Sequence, residues 1–235
     1  MLMKKLIRNI YNLLSISTPY FIIFNYIKNY FPNYRKKKQC LKKDKEIYQN
    51  FKSVDITKKW FTNNLYFLSK NLSTLKVKNL LEIGSYEGRS AIFFSDIFRG
   101  TKISCVDTWS GSDEHENINF KSIENNFDQN IKPLKNNQLL TKFKMTSDNF
   151  FTQNNEKFDF VYVDGDHSKD QVLKDLQNSW SVLNNNGFLL VDDYMWWYYK
   201  NIENNPASSI NIFINNNIDQ ISKLVIWHQV LIQKK

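Results

Sequence analysis

The stretch 79–90, NLLEIGSYEGRS, predicts a buried strand that runs into a glycine-containing turn and then into a helix. Glycine is favoured where the backbone turns tightly or where a ligand approaches the peptide closely, which explains Gly84 and Gly88. The helix that begins at about Gly88 would point its N-terminal N–H groups at whatever lies over the turn. Such a strand–turn–helix unit is typical of nucleotide-like ligand sites at the carboxyl end of a parallel sheet.

Two acidic residues near this turn indicate the kind of ligand. Glu82 lies just before the turn, where a carboxylate repels a pyrophosphate but can pair with a cationic, amino-acid-like ligand. This favours S-adenosylmethionine over NAD. Asp107 ends a second predicted strand, Lys102–Val106, about 20 residues after Gly88, a spacing at which an acidic side chain binds ribose hydroxyls. The alternative is that Asp107 only caps a loop.

Three further residues are candidates for contact with the cofactor. Trp109 is predicted either to stack on the cofactor or to belong to the core. Ser147 and Asp148 follow a predicted third strand, Thr141–Met145, and are placed to bind the adenine amino group. Either residue could instead be the N-cap of a short helix.

Acidic residues also follow two later apolar strands. Phe158–Val163 ends in Asp164-Gly-Asp166-His167, and Phe188–Val191 ends in Asp192-Asp193. Carboxylate oxygens at neighbouring strand ends suit a hard divalent cation such as Mg²⁺, so these four aspartates are candidate ligands. Asp166 or His167 is the candidate base that deprotonates an acceptor hydroxyl. The alternative is that the acids close strands, cap a helix and form turn hydrogen bonds.

The remaining pattern predicts helices and turns around these strands. A sixth and a seventh strand are expected to form a terminal hairpin near His228, and the aromatic run Tyr194–Tyr199 is predicted to be a lid, a stacking wall or part of the core. His115, in a run of charges, is expected on a solvated face. Helices are predicted at 44–75, 120–131, 169–183 and 206–217, and a turn at 184–187, NNNG.

The N-terminal end differs from the rest in charge. The chain of 235 residues carries a net charge of +9, and residues 1–43 are predicted to be a basic, aromatic, helical extension of a domain at 44–235. This extension either packs on the domain or on a second subunit, or contacts a membrane surface through residues 1–40. No nucleic-acid recognition motif is present, so no nucleic-acid partner is expected. Cys40 and Cys105 lack metal or disulfide spacing, which predicts a reduced cytoplasmic protein.

The motifs LEIGSYEGRS, ISCVDTW, VYVDGDHSKDQVLKDL and GFLLVDDY, in this order, resemble class I S-adenosylmethionine-dependent methyltransferases. Within that class the chain looks most like a bacterial family of small methyltransferase domains. The resemblance implies an α/β fold with a Rossmann-like, doubly wound, seven-stranded sheet and an antiparallel last strand. It also implies the cofactor contacts: Glu82, Gly84, Ser85 and Gly88 around the methionine and ribose, Asp107 on the ribose, and Ser147 or Asp148 near adenine.

Metal-dependent sugar and catechol O-methyltransferases share this layout. The resemblance implies that Asp164, Asp192 and Asp193 bind the metal. Asp-Asp at the fifth strand, rather than Asp-Asn, favours a sugar hydroxyl as the acceptor. The expected function is therefore O-methylation of a glycan or other small cell-envelope precursor. The alternatives are a nucleotide-binding oxidoreductase and a non-catalytic membrane-surface module, and a homo-oligomer is compatible with each.

Overall fold

The computed structural model describes residues 42–47, 57, 60–61, 65–112, 115, 118–137, 139–196, 198–226 and 228–235. The predicted N-terminal extension lies outside these residues except for its last two, so its helical character and its membrane contact stay predictions. None of the helices within these ranges is both long enough and apolar enough to cross a membrane. The described residues fall into two compact units, one ending at Asn155 and the other spanning Glu156–Lys235.

The predicted α/β fold with a seven-stranded sheet is confirmed, and the strand order is β3-β2-β1-β4-β5-β7-β6. The strands are β1 (Asn79–Ile83), β2 (Lys102–Asp107), β3 (Leu140–Lys144), β4 (Phe158–Val163), β5 (Leu183–Val191), β6 (Ile221–Ile226) and β7 (Val230–Lys234). The helices are α1 (Leu65–Leu72), α2 (Arg89–Ile97), α3 (Phe120–Asn130), α4 (Lys132–Asn136), α5 (Ser147–Gln153), α6 (Lys169–Val182) and α7 (Pro206–Asn217). Short 3-10 helices span Ile202–Asn204 and Ile218–Gln220.

In the first unit, β1, β2 and β3 run parallel. Ser104 in β2 pairs with Leu81 on one side and with Thr141 on the other. Strand β1 is almost fully buried, as expected for a parallel strand with both faces covered. Because the carboxyl ends of parallel strands meet at one edge, this register brings the turn after β1 close to Asp107 at the end of β2.

In the second unit, β4 and β5 run parallel, while β7 pairs antiparallel with both β5 and β6. The predicted terminal hairpin is therefore confirmed. Its last strand is firmly packed, because Val230 and Ile232 are fully buried. Helices α6 and α7 pack together, with the rings of Trp180 and Phe213 5.5 Å apart. The parallel pair delivers the residues after β4 and β5 to the same edge.

The predicted turn at 184–187 is wrong, because these residues lie inside β5. The pairing passes from Phe158–Leu183 to Phe160–Phe188, so four residues of β5 lie opposite one residue of β4. This is a bulge, in which extra residues on one strand interrupt the ladder. Asn and Gly residues tolerate the positive φ that the bulge requires, as at Asn186 with a φ of 61°.

Three predicted helix or strand bounds also need correction. The continuous helix at 44–75 is wrong, since residues 42–47 and 65–72 are helical but Trp60 and Phe61 are not. The helix predicted at 120–131 ends at Asn130, and Pro133 lies in the first turn of the separate helix α4, where its missing N–H leaves no hydrogen bond unmade. The third strand begins at Leu140, one residue earlier than predicted.

Candidate active site

The turn between β1 and α2 has a backbone that favours glycine. Gly84 and Gly88 have φ angles of 84° and 80°, and Tyr86 between them has a φ of 45°. A Cβ atom on Gly88 would lie 3.0 Å from side-chain atoms of both Ile131 and Phe127, so a larger residue would displace the packing there. The predicted need for glycine in this turn therefore has two causes, backbone angle and close packing.

Asp107 fixes the shape of this turn. Its Oδ2 accepts hydrogen bonds from the backbone N–H groups of Ser85 and Tyr86, each at 2.9 Å. Its Oδ1 accepts the N–H of Trp109 at 2.7 Å. Charge-assisted bonds of this kind are among the stronger hydrogen bonds in proteins. These contacts are those expected if Asp107 caps a loop. Its contact with the ribose stays a prediction.

Trp109 lies where the core alternative expected it. The residue is 4% exposed, and its indole Nε1 donates to the carbonyl of Tyr86 at 2.8 Å. Its ring packs 4.7 Å from the ring of Phe127, and the ammonium of Lys142 lies 4.5 Å from the ring centroid. Stacking of Trp109 on the cofactor stays a prediction, and the described contacts make it a brace of the turn.

Glu82 is a fully buried carboxylate at the end of β1. It accepts hydrogen bonds from Ser85 Oγ at 2.6 Å and from Cys105 Sγ at 3.3 Å. Burial raises the pKa of Glu82 to about 6, although the hydrogen bond from Ser85 opposes this rise. Glu82 and Ser85 therefore contact each other, and their predicted contact with the cofactor stays untested.

Ser147 and Asp148 begin α5, but neither is its N-cap. The cap is Thr146, whose hydroxyl accepts the N–H of Asn149 at 3.2 Å. The predicted cap is therefore one residue too late. Asp148 lies in the first turn, where a negative charge interacts favourably with the helix dipole. The predicted adenine contact of the two residues stays a prediction.

In the second unit, the edge formed by β4 and β5 carries a cluster of two carboxylates and one imidazole. Asp164, His167 and Asp193 each offer one ligand atom, and these atoms all lie within 4.8 Å of one another. His167 Nε2 is 2.9 Å from Asp193 Oδ2 and 3.7 Å from Asp164 Oδ1. Asp193 has a φ of 55°, a left-handed conformation that is uncommon outside glycine and is often found at functional sites.

Asp192 points to other partners. Its Oδ2 contacts the hydroxyl of Tyr162 and accepts Gln229 Nε2 at 2.8 Å, while the same hydroxyl lies 2.9 Å from Asp164 Oδ2. The phenol has one proton, so it can donate a full hydrogen bond to only one of the two carboxylates at a time. Burial, with the neighbouring Asp193, raises the pKa of Asp192 to about 6, and burial, with Asp192, raises the pKa of Asp164 well above its usual value.

The structure thus groups His167, rather than Asp192, with Asp164 and Asp193. His167 was identified in the sequence, but as a base. Tyr162 and Gln229 were missed, because neither the middle of an apolar strand nor a hairpin turn carries a signal for a contact so distant in sequence. Asp166 is exposed, and its Oδ1 accepts the N–H of Ser168 at 2.6 Å at the start of α6, which is the capping alternative.

The aromatic segment after β5 divides into buried and exposed rings. Tyr194 is fully buried and donates its hydroxyl to Asn211 Oδ1 at 3.0 Å. Trp196 packs against the ring of His167 at 4.6 Å, and Tyr198, which is 48% exposed, stacks on Trp196 at 5.5 Å. The segment is therefore partly core and partly an aromatic surface beside the acidic cluster.

His115 contacts a backbone N–H and two aromatic rings. Its Nδ1 accepts the N–H of Ser112 at 3.1 Å, and its ring lies 5.5 Å from that of Trp60 and 5.6 Å from that of Phe120. The residue is half-buried, so its ring is partly covered by these neighbours and partly on the solvated face that the sequence predicts.

Comparison with known proteins agrees with this layout. Residues 81–194 match the model of a family described as a methyltransferase domain. An O-methyltransferase from Bacillus cereus in complex with SAH is 15% identical, with a TM-score of 0.53 over 84% of this chain and 91% of that one. SAH-bound Podospora anserina methyltransferase PaMTH1 is 16% identical, with a TM-score of 0.53 over 83% and 88%. The O-methyltransferase TomG from Streptomyces achromogenes, involved in tomaymycin synthesis and bound to SAM, is 10% identical, with a TM-score of 0.52 over 83% and 90%.

Comparison with curated protein sequences gives no match. The solved structures are too distant in sequence to show more than a shared fold, whereas the family match covers the turn after β1 and both acidic strand ends. Residues 81–194 therefore match a methyltransferase domain, and the chain shares its fold with solved methyltransferases that carry SAH or SAM.

Proposed function

We propose that this methyltransferase transfers the methyl group to a hydroxyl oxygen of a sugar or another small cell-envelope precursor, with help from a divalent cation. The observation that carries the proposal is the cluster of Asp164, His167 and Asp193 at the carboxyl ends of β4 and β5. The structurally similar Bacillus cereus protein and TomG are O-methyltransferases, which supports oxygen as the acceptor atom. The Asp192-Asp193 pair supports a sugar over a catechol.

The cofactor part of the proposal rests on the first unit alone. Gly84 and Gly88 give the turn its positive φ angles, and Asp107 holds the turn in one shape through the N–H of Ser85. Glu82 supplies the negative charge that disfavours a pyrophosphate. The sulfonium methyl carbon is already electrophilic, so the protein mainly has to hold the cofactor and orient an acceptor oxygen.

The acceptor part rests on the second unit alone. The two carboxylates supply the oxygen ligands that hard divalent cations prefer, while the imidazole suits first-row transition ions better than Mg²⁺. A bound cation would offset the repulsion between Asp164 and Asp193. Asp164, His167 and Asp193 would hold the ion. When bound, a divalent ion lowers the pKa of a hydroxyl and orients it. Tyr162 would hold Asp164 in place through its hydrogen bond.

The proton of the acceptor needs a base. In the protein without an ion, His167 suits this role better than Asp166, because an imidazole is a stronger base than a carboxylate. Its Nε2 also lies 2.9 Å from Asp193 Oδ2, whose negative charge would stabilise a protonated ring. Asp166 instead accepts the N–H of Ser168 and is exposed. With an ion bound, His167 would serve as a ligand, and Asp166 would be the remaining candidate.

The test of the acceptor part is transfer of labelled methyl groups from S-adenosylmethionine to a panel of nucleotide sugars, free sugars and catechols, with Mg²⁺ or with EDTA. We expect transfer to a sugar hydroxyl that falls at least about tenfold in Asp164→Asn and in Asp193→Asn. Full activity in EDTA and in both variants would contradict the role of the cation. Transfer to catechols alone would contradict the choice of a sugar.

The cofactor part is tested separately by calorimetric titration of S-adenosylmethionine and its demethylated product. We expect micromolar binding to the wild type, weakened in Asp107→Ala because the turn loses its acceptor for two backbone N–H groups. Absence of binding to the wild type would contradict this part of the proposal.

A peripheral membrane position is a further part of the proposal. Its support is the basic, aromatic composition of residues 1–40. Co-sedimentation with anionic liposomes should require these residues. Equal binding of the chain with and without them would contradict the membrane contact.

A further inference from the structure

Glu87, inside the turn between Gly84 and Gly88, is a buried carboxylate with an unusual set of partners. The residue is 1% exposed. The backbone N–H of Thr57 donates to both carboxylate oxygens, at 3.1 Å to Oε1 and 2.9 Å to Oε2. A buried carboxylate needs hydrogen-bond donors to offset its lost hydration, so these contacts carry more weight than surface contacts.

Helix α3 supplies the other donors. Asn126 Nδ2 donates to Glu87 Oε1 at 2.8 Å, and Asn130 Nδ2 donates to the backbone carbonyl of Glu87 at 2.8 Å. The two asparagines are four residues apart and so lie on the same face of the helix. Residue 87 is therefore held to α3 through both its side chain and its main chain.

The chain before α1 meets the turn at more than one point. The ring of Trp60 lies 4.8 Å from that of Tyr86, the neighbour of Glu87. The ring of Phe61 packs edge-on against that of Phe93 in α2 at 5.3 Å. Together with the Thr57–Glu87 bonds, these contacts attach residues some 30 positions upstream to the turn and to the helix that follows it.

We infer that Glu87 is a positioning residue, which holds the turn in its binding shape by joining it to Thr57 and to Asn126. This inference rests on the proposed function, which assigns S-adenosylmethionine to the same turn. Asp107, which follows the turn in sequence, fixes it through the N–H groups of Ser85 and Tyr86. Glu87, the next residue of the turn, is held by Thr57, which precedes the turn in sequence. Cofactor binding and the attachment of Thr57 then stabilise each other, since both require the same turn conformation.

The test begins with Glu87→Gln, which keeps the shape but replaces a charged carboxylate by a neutral amide with one acceptor oxygen and one NH₂ group. We expect the Kd for S-adenosylmethionine to rise about tenfold, which is about 1.4 kcal/mol. Adding Asn126→Asp should restore the Kd to within about twofold of the wild type, because the glutamine oxygen can accept Thr57 N–H while its NH₂ group donates to the new carboxylate. A general loss of stability would not be reversed by this second change.

The matched control is Asp175→Asn in α6. Asp175 is also 1% exposed and accepts Gln171 Nε2 at 3.0 Å, but it belongs to the other unit. This variant should unfold at a lower temperature and bind the cofactor as the wild type does. It therefore separates loss of a buried carboxylate from loss of the attachment.

Amide hydrogen exchange gives a second readout. Saturating S-adenosylmethionine should slow exchange at Thr57 in the wild type but not in Glu87→Gln, while amides of β2 exchange equally in both. A wild-type Kd in Glu87→Gln, or no rescue by Asn126→Asp, would overturn the inference and leave the cofactor assignment intact. Failure of the wild type to bind the cofactor would instead overturn the proposed function, and this inference with it.

Discussion

At the scale of single residues, Glu82 gives the clearest prediction of pH dependence. Burial raises its pKa from 4.5 to about 6, so the native state binds this proton more tightly than the unfolded chain does. The stability that this group contributes is complete below pH 4.5 and is lost as the pH rises through about 6. The loss is on the order of 2 kcal/mol. Glu82→Gln cannot ionise and should lack it.

The measurement is the free energy of unfolding of both proteins between pH 4 and pH 7. The free energy of unfolding of the variant should rise relative to that of the wild type as the pH increases. The altered hydrogen bonds to Ser85 and Cys105 add only a constant difference at every pH. Asp96→Asn, which alters an exposed carboxylate of α2, is the control and should give no comparable gain. A constant difference between wild type and Glu82→Gln would show that the native carboxyl is not harder to ionise.

The acidic residues show what can be predicted at this scale. The positions of Asp164, Asp192 and Asp193 follow from apolar runs that end in acids, because burial forces charges to the rim of a sheet. The direction of each side chain does not follow. Asp192 points to Tyr162 and Gln229, and His167 takes its place in the cluster. Such directions depend on partners far away in sequence, which no local pattern contains.

At the scale of secondary-structure elements, Lys234 ties the last strand to the end of α6. Its ammonium donates to the carbonyls of Trp180 at 2.7 Å and Leu183 at 3.1 Å. The last carbonyls of a helix lack partners within the helix and carry a partial negative charge. Lys234→Met keeps the apolar stem but removes the donors, and should lower the free energy of unfolding by about 1–2 kcal/mol, measured by urea denaturation.

The control for this prediction is Lys223→Met, at an exposed position of β6. It removes the same charge from the same sheet and should change the free energy of unfolding by less than about 0.5 kcal/mol. Equal effects of the two substitutions would indicate that net charge, rather than the helix end, matters.

The elements themselves were predicted to different degrees. Strand β4 and helix α7 have the predicted bounds, because each combines a strong local pattern with clear end signals. Strand β5 was predicted too short, because the Asn and Gly residues at 184–187 are as typical of a bulge as of a turn. The helix predicted at 44–75 is interrupted at Trp60 and Phe61, which are not helical. Their aromatic rings pack instead on Tyr86 and Phe93.

At the scale of the whole molecule, the order of the strands depends on long-range pairing. The β6–β7 hairpin is local and could be predicted from two apolar runs around His228. The pairing of β7 with β5, in which Val230 lies opposite Val191, joins distant parts of the chain. It was expected only because the sequence resembles a family with an antiparallel last strand. Periodicity in a sequence specifies which faces are buried, but it does not specify neighbours.

The stability of the whole molecule should depend on divalent cations if the acidic cluster binds one. A ligand at 100 times its Kd adds about 2.7 kcal/mol, which for a chain of this length raises the Tm by about 5–10 °C. Mg²⁺ or Mn²⁺ should produce this shift at pH 8 and a smaller one at pH 5, because burial and the neighbouring carboxylate of Asp192 raise the pKa of Asp164 well above its usual value, so protons compete with the cation for this ligand. Asp193→Asn should abolish the shift. Asp166→Asn is the matched control and should retain it, because Asp166 binds the N–H of Ser168 instead. Equal shifts in both variants, measured by calorimetry, would place the cation elsewhere in the molecule.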